Sequence, residues 1–186
     1  MLTGGRSRRM GTDKALLPVG GVAMAARVAH ALRAVGCAEV LAVGGDPETL
    51  APLGLSVRAD LVPGEGPLAG IISSLELHAG RDDVDVLVVA CDLPALGPDD
   101  LRPLVVAADR RRDADVVMAT TDRRHPTCAV WRDTARRSLH ESFRAGERAV
   151  HRAVAGLVVA EVRLRADALR NINTLDDLDR YPGRHG

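Results

Sequence analysis

One stretch, Val84-Asp85-Val86-Leu87-Val88-Val89-Ala90, most narrows what this chain can fold into. It is nearly all apolar, which suits a central strand covered on both faces. Shorter valine-rich runs at residues 39–43, 114–119, 126–131 and 157–162 read as further strands. Between them, residues 24–35, 67–79, 98–110 and 134–144 carry apolar side chains three and four apart, as amphipathic helices do. Strand alternating with helix predicts parallel pairing and right-handed crossovers. The expected fold is a three-layer, doubly wound α/β domain with a mostly parallel sheet. Only Met1, Leu2 and Thr3 precede Gly4, whereas a first strand commonly runs to about five residues. The natural start is therefore expected upstream of Met1.

A length of 186 residues predicts one domain spanning 1–186, and such a chain buries about 70% of its unfolded surface without staples. Aromatic residues are only 2% against 46% hydrophobic, so the core is expected to be built from Ala, Val and Leu. Basic and acidic residues balance at 25 each, leaving no strong field to attract nucleic acid or an anionic membrane. No apolar run approaches the roughly 20 residues of a membrane-spanning helix, and the first residues lack the pattern of a secretory signal. Cys37, Cys91 and Cys128 are odd in number and contain no C-x-x-C. They argue against a disulfide framework or a structural zinc and are read as small buried residues. A soluble, cytoplasmic protein is expected. Arg110-Arg111-Arg112 is read as a helix end favouring the negative pole of the dipole, and residues 181–186 as a frayed tail.

Ligands of open α/β sheets bind outside the carboxyl ends of the strands, so the loops there carry the chemistry. After the first strand comes Gly4-Gly5-Arg6-Ser7-Arg8-Arg9-Met10-Gly11-Thr12-Asp13-Lys14. Paired glycines let backbone approach a ligand, and consecutive amides cradle phosphate oxygens. The spacing is not that of a P-loop, and a basic surface loop is the plainer reading. Of the 25 basic residues, 24 are arginine and one, Lys14, is lysine; it is expected on an exposed loop. Asp92 follows the long strand directly. A carboxylate at that edge suits magnesium, which takes one or two carboxylates plus phosphate oxygens, although an aspartate there also caps turns.

The string from Leu2-Thr3-Gly4-Gly5 through Arg9-Met10-Gly11 to Asp13-Lys14 resembles the glycine-rich signature of nucleotidyltransferases with the nucleotide-diphosphosugar transferase fold. It is most similar to that of the molybdenum cofactor guanylyltransferases, the MobA family. Asp60 before Gly64-Glu65-Gly66-Pro67-Leu68-Ala69-Gly70 resembles the family's D…GPLAG segment, and Cys91-Asp92-Leu93-Pro94 its CD-x-P motif. His125-Pro126-Thr127, Ala145-Gly146-Glu147-Arg148 and Asn171-Ile172-Asn173-Thr174 resemble its HPT, AGER and N-[VI]-NT elements.

The resemblance implies GTP binding and guanylyl transfer to the phosphate of molybdenum-bound molybdopterin, with release of pyrophosphate. It implies a nucleotide-binding N-terminal half and an acceptor-binding C-terminal half. Lys14 is then assigned to the phosphates, Arg9 to the departing pyrophosphate, and Asp92 to Mg2+. Leu2, Thr3 and Gly4 hold the base through backbone groups, and Gly5 favours guanine over cytosine by leaving room for the larger base. Asp60 contacts the nucleotide or a metal-bound water, with a plain turn aspartate as the other reading. The segment 64–70 is either an ordinary helix start or a lid over the ligand. His125 helps shape the acceptor pocket or is a satisfied histidine. Asn171 and Asn173 bind the acceptor or cap a last helix through Thr174. Where the family commonly carries Asn after its second strand, this chain has Gly44, which puts base specificity in question. Transient contact with cofactor-delivery proteins or apo molybdoenzymes is a further expectation. A related transferase using CTP or another phosphorylated acceptor, and a catalytically silent nucleotide-binding protein, are the alternatives.

Overall fold

The computed structural model describes residues 1–4, 14–81, 83–172, 177, 180 and 181. After a one-turn helix at Lys14–Leu16, Gly20 and Gly21 (φ 56° and 73°) turn a small antiparallel hairpin, β1 (Pro18–Val19) against β2 (Val22–Ala23). Positive φ at both turn residues is what a two-residue hairpin loop needs, and glycine supplies it without strain. There follow α1 (Met24–Ala34), β3 (Leu41–Val43), α2 (Pro47–Leu50), β4 (Ser56–Arg58) and α3 (Pro67–Glu76). The remainder is β5 (Val86–Val89), α4 (Pro98–Arg110), β6 (Val116–Thr120), β7 (Arg124–Trp131), α5 (Asp133–Arg144), α6 (Val150–Ala153) and β8 (Val159–Arg163).

The residues ahead of Gly4 join two parts of one sheet. Leu2 bridges in parallel to Val43 at the end of β3 and to Ala90 just past β5. Leu2 N donates to Val89 O at 2.8 Å, Val43 N to Met1 O at 2.8 Å, and Cys91 N to Leu2 O at 3.0 Å. With β3 parallel to β4, β5 antiparallel to β7, β7 antiparallel to β6, and β6 parallel to β8, the order is β4-β3-(1–3)-β5-β7-β6-β8. Parallel pairing predicted for residues 126–131 is corrected here: β7 runs against both neighbours. Only residues 121–123 separate it from β6, and a parallel return needs a crossover of a dozen residues or more.

β7 is also irregular. Met118 pairs with Ala129 but Ala119 with His125, so Pro126, Thr127 and Cys128 face no residue of β6. Proline lacks the N–H a regular ladder would demand, and a bulge is where it is tolerated. The bulge brings Thr127 beside the end of β5, where its carbonyl accepts from Ala90 N at 2.8 Å.

Alternate side chains of each inner strand enter separate cores, as a strand's period of two requires. Ala42, Val89, Val117, Cys128 and Val130 join α1 and α4 on one face. Val43, Val88, Val116, Met118, Ala129 and Trp131 join α3, α5 and α6 on the other. These are the three layers predicted. The basic run at 110–112 does end α4, but its carbonyls are met from elsewhere. The buried Arg132 guanidinium donates to Arg111 O at 2.8 Å, to Ala108 O at 2.5 Å and to Ala114 O. Arg111 and Arg112 pair instead with Asp113 and Asp85.

Candidate active site

A cavity of about 520 Å³ opens at the carboxyl edge of the parallel strands. It gathers Leu2, Thr3, Gly4, Lys14, Asp60, Asp92 and Asn171, positions that span most of the chain. Gly5, Arg9 and Asn173 lie outside the described residues, as does Thr174.

Lys14 and Asp92 form the centre of the site. Lys14 opens the one-turn helix and is 7% exposed; the exposed loop lysine expected from the sequence is therefore a buried one. Its Nζ lies 2.7 Å from Asp92 Oδ2. Asn171 Nδ2 donates to Asp92 Oδ1 at 3.0 Å, and Ile172 N donates to the Asp92 carbonyl at 3.0 Å. Asn171 thus orients the carboxylate from the end of the chain. Motif spacing could not reveal this, because the two residues are 79 positions apart.

On the β4 side, Asp60 Oδ1 lies 2.7 Å from Ser73 Oγ and accepts from Val62 N at 3.2 Å. The same Ser73 hydroxyl accepts from Leu61 N at 3.0 Å, so Asp60 combines a turn role with a place in the cavity wall. Gly64, Gly66 and Pro67 continue that wall into the start of α3. Proline at the first turn of that helix needs no N–H.

The departure at Gly44 has a steric basis. Gly44 adopts φ 77°, and a Cβ built on it would stand 2.8 Å from Gly4 Cα. Backbone of the glycine loop fills the space an asparagine side chain would need. Thr3 secures the arrangement by donating its hydroxyl to Gly44 O at 2.6 Å. Gly45 is held as tightly, since a Cβ there would lie 2.8 Å from Leu50 Cδ1 and 3.1 Å from Thr3 Oγ1.

His125 does not line the cavity. It sits where β6 turns into β7, with Nε2 2.9 Å from Thr121 Oγ1, and burial followed by the charge of Arg123 pushes its imidazole below the usual range. The cavity instead takes Thr127, two residues further on. The HPT motif marked this segment, but the bulge in β7 decides which of its residues reaches the site. Burial drives the Cys128 thiol up to about 12, in keeping with a small core residue, and Cys91 is buried beside Asp92.

Among the described residues no three His, Cys, Asp or Glu side chains cluster as a metal cage. The carboxylates in the cavity wall are Asp60 and Asp92. One or two carboxylates fit a hard cation that completes its shell with phosphate oxygens and water.

A three-layer α/β sheet with a glycine-rich approach, one buried lysine and one oriented aspartate at its carboxyl edge defines a nucleotidyltransferase-type domain. The chain belongs to the MobA-like NTP transferase family, whose profile matches residues 1–162. It is 40% identical to the probable molybdenum cofactor guanylyltransferase of Pelotomaculum thermopropionicum, covering 96% of this chain and 88% of that protein. It is 37% identical to the molybdenum cofactor guanylyltransferase of Rhodobacter capsulatus, covering 99% and 94%. In fold it is similar to molybdopterin-guanine dinucleotide biosynthesis protein A of Archaeoglobus fulgidus, with a TM-score of 0.75, 23% identity and coverage of 96% and 93%. A cytidylyltransferase of Thermus thermophilus shares the fold with a TM-score of 0.66 and 23% identity over 89% and 90%. No helix among the described residues is long and apolar enough to cross a membrane.

Proposed function

We propose that this protein transfers GMP from GTP to the terminal phosphate of molybdenum-bound molybdopterin, as a Mg2+-dependent enzyme of the cytoplasm. The observation that carries the reading is the Lys14–Asp92 pair, 2.7 Å apart, at the edge of a sheet whose relatives are named guanylyltransferases. In the reaction an oxygen of the acceptor phosphate bonds to the α-phosphorus of GTP, and the bond from that phosphorus to the pyrophosphate oxygen breaks. Both partners are anions, so the protein's task is positioning and charge neutralisation.

Backbone groups of Leu2, Thr3 and Gly4 hold the base, and Gly5 leaves it room. Asp92, with Asp60 lining the same cavity, would hold Mg2+. When bound, such an ion would supply charge neutralisation at the phosphates. Lys14 exchanges its carboxylate partner for a phosphate oxygen, placing a compact cation where charge accumulates. Arg9 serves the departing pyrophosphate. Asn171 keeps the Asp92 carboxylate in one orientation during that exchange. Thr127 and Asn171 bring the C-terminal half into the cavity wall, and the acceptor enters from that side.

Calorimetric titration with the four nucleoside triphosphates and Mg2+ tests the assignment. GTP should bind most tightly. If CTP binds as well as GTP, the guanylyl reading fails.

A further inference from the structure

The segment 61–66 forms the rim of the cavity between β4 and α3. Its first part is well anchored: Asp60 and Ser73 hold the amides of Val62 and Leu61. Its tip is not. Among the described residues, the backbone of residues 63–66 makes one loop hydrogen bond of its own donation, Glu65 N to Val62 O at 3.4 Å, besides the Gly66 carbonyl that begins α3. Glu65 stands between Gly64 and Gly66, at φ 84° and 87°, both in the cavity wall. Conformational freedom at two flanking glycines is a cost that something must offset if the wall is to keep its shape.

The offsetting contact comes from the AGER motif, far along the chain. Gly146, at φ 93°, turns the chain between α5 and α6. Glu147 then accepts from the amides of Arg148 and Ala149, both at 2.7 Å, and is itself gripped by Arg152. This fixes the backbone at Arg148. Its guanidinium stacks over the Phe143 ring, 4.0 Å from the centroid, and one nitrogen donates to Phe143 O at 2.9 Å. Thus oriented, Nε donates to Glu65 Oε2 at 2.5 Å, across 83 residues of sequence.

We infer that Arg148 is a positioning residue that acts through Glu65, fastening the glycine-flanked tip of the cavity wall so that the nucleotide meets a preformed surface. Arg148 and Glu65 are 44% and 41% exposed, so the pair adds little to global stability. Its effect is local: it removes alternative conformations of residues 63–66 that binding would otherwise have to suppress. Only the choice of GTP as assay substrate rests on the guanylyl-transfer reading.

The test compares Arg148→Gln, Glu65→Gln and the double variant in two measurements. Hydrogen exchange reads the amides of residues 62–66 without any turnover, with the β5 and β7 amides as a control for the fold. Each single variant should speed exchange there about two- to fivefold, the range an exposed ion pair supports. Each should also raise KM for GTP by a similar factor while kcat changes less, and the double variant should add nothing to either. Unaltered exchange in both single variants would overturn the inference. So would an Arg148→Gln defect in KM that Glu65→Gln does not share, because Arg148 would then act on the ligand itself. An inactive wild-type protein whose tip still loosens in both variants would count against the transferase reading alone.

Discussion

Lys14 Nζ sits 2.7 Å from Asp92 Oδ2, and Asn171 takes the other oxygen of the same carboxylate. The side chains of the pair are only 9% and 17% exposed, so each charge depends on the other for the solvation it has lost. The lysine proposed to meet phosphate is here a structural counter-ion as well.

Removing one partner should therefore separate stability from activity. Lys14→Ala is expected to abolish most turnover and to cost about 1–3 kcal/mol, the penalty for a buried acceptor left unpaired. Combining Lys14→Met with Asp92→Asn should recover much of that stability and none of the turnover. Urea denaturation beside a pyrophosphate-release assay reads both. A Lys14→Ala protein as stable as wild type would remove the pair's structural role.

Asn171→Ala frees one carboxylate oxygen without removing the carboxylate. Loss of a single hydrogen bond worth about 1 kcal/mol predicts a drop in kcat of about fivefold. The Mg2+ concentration needed for half-maximal rate should shift with it. In Asp92→Asn the metal dependence itself should weaken; an unchanged metal titration would leave Asp92 a turn residue.

Gly44→Asn tests whether the family's asparagine can be restored. A non-glycine residue at φ 77° costs about 1–2 kcal/mol, and crowding against Gly4 adds about 1–3 kcal/mol. Thr3→Val, which deletes the hydroxyl bonded to Gly44 O, should cost about 1 kcal/mol. Gly44→Asn with wild-type thermal stability and tighter GTP binding would show that the turn can open to admit the side chain.

Acid stability offers a test remote from the cavity. Burial raises the Asp100 carboxyl, but Arg165 and the Gly97 amide outweigh it and hold the group below its ordinary 3.8. Its folded value is thus lower than its unfolded one. The stability it contributes is present above 3.8 and is lost as pH falls through the folded value. Asp100→Asn should be less stable than wild type at neutral pH and should lose less on acidification below about pH 4. Parallel stability curves for the two proteins would contradict the assignment.

How much of this was legible in sequence varies by element. The long valine run gave β5 correctly because its apolar character needs two covered faces, and α4 was found to the residue. Nothing in the pattern marks β4: Ser56-Val57-Arg58 has one apolar residue and, among the described residues, one pairing neighbour, β3. β7 runs opposite to the expected direction, which apolar patterning could not reveal because it reports burial and not polarity of the strand. The three-residue gap between β6 and β7 held that information. At the site, motif order brought Lys14, Asp60 and Asp92 to one cavity. Burial of Lys14 and the bond from Asn171 to Asp92 were not legible, because both depend on chain segments that meet only in the folded protein. The arginine of the AGER motif and its partner Glu65 belong to different motifs, and the fold brings them together across 83 residues.

The contact between Gly4 and Gly44 also limits which single substitutions this turn can accept. A Cβ on Gly44 would stand 2.8 Å from Gly4 Cα, whereas one on Gly4 would meet Gly44 Cα at an ordinary 3.4 Å, so the block to substitution lies at Gly44. Thr3 tightens the knot by holding the Gly44 carbonyl. A side chain at Gly44 fits only if that turn first loosens, and loosening it gives up the Thr3 bond to the Gly44 carbonyl. A change at Gly44 is therefore coupled to Gly4 and Thr3, and any relaxation of the turn begins with the Thr3 hydroxyl.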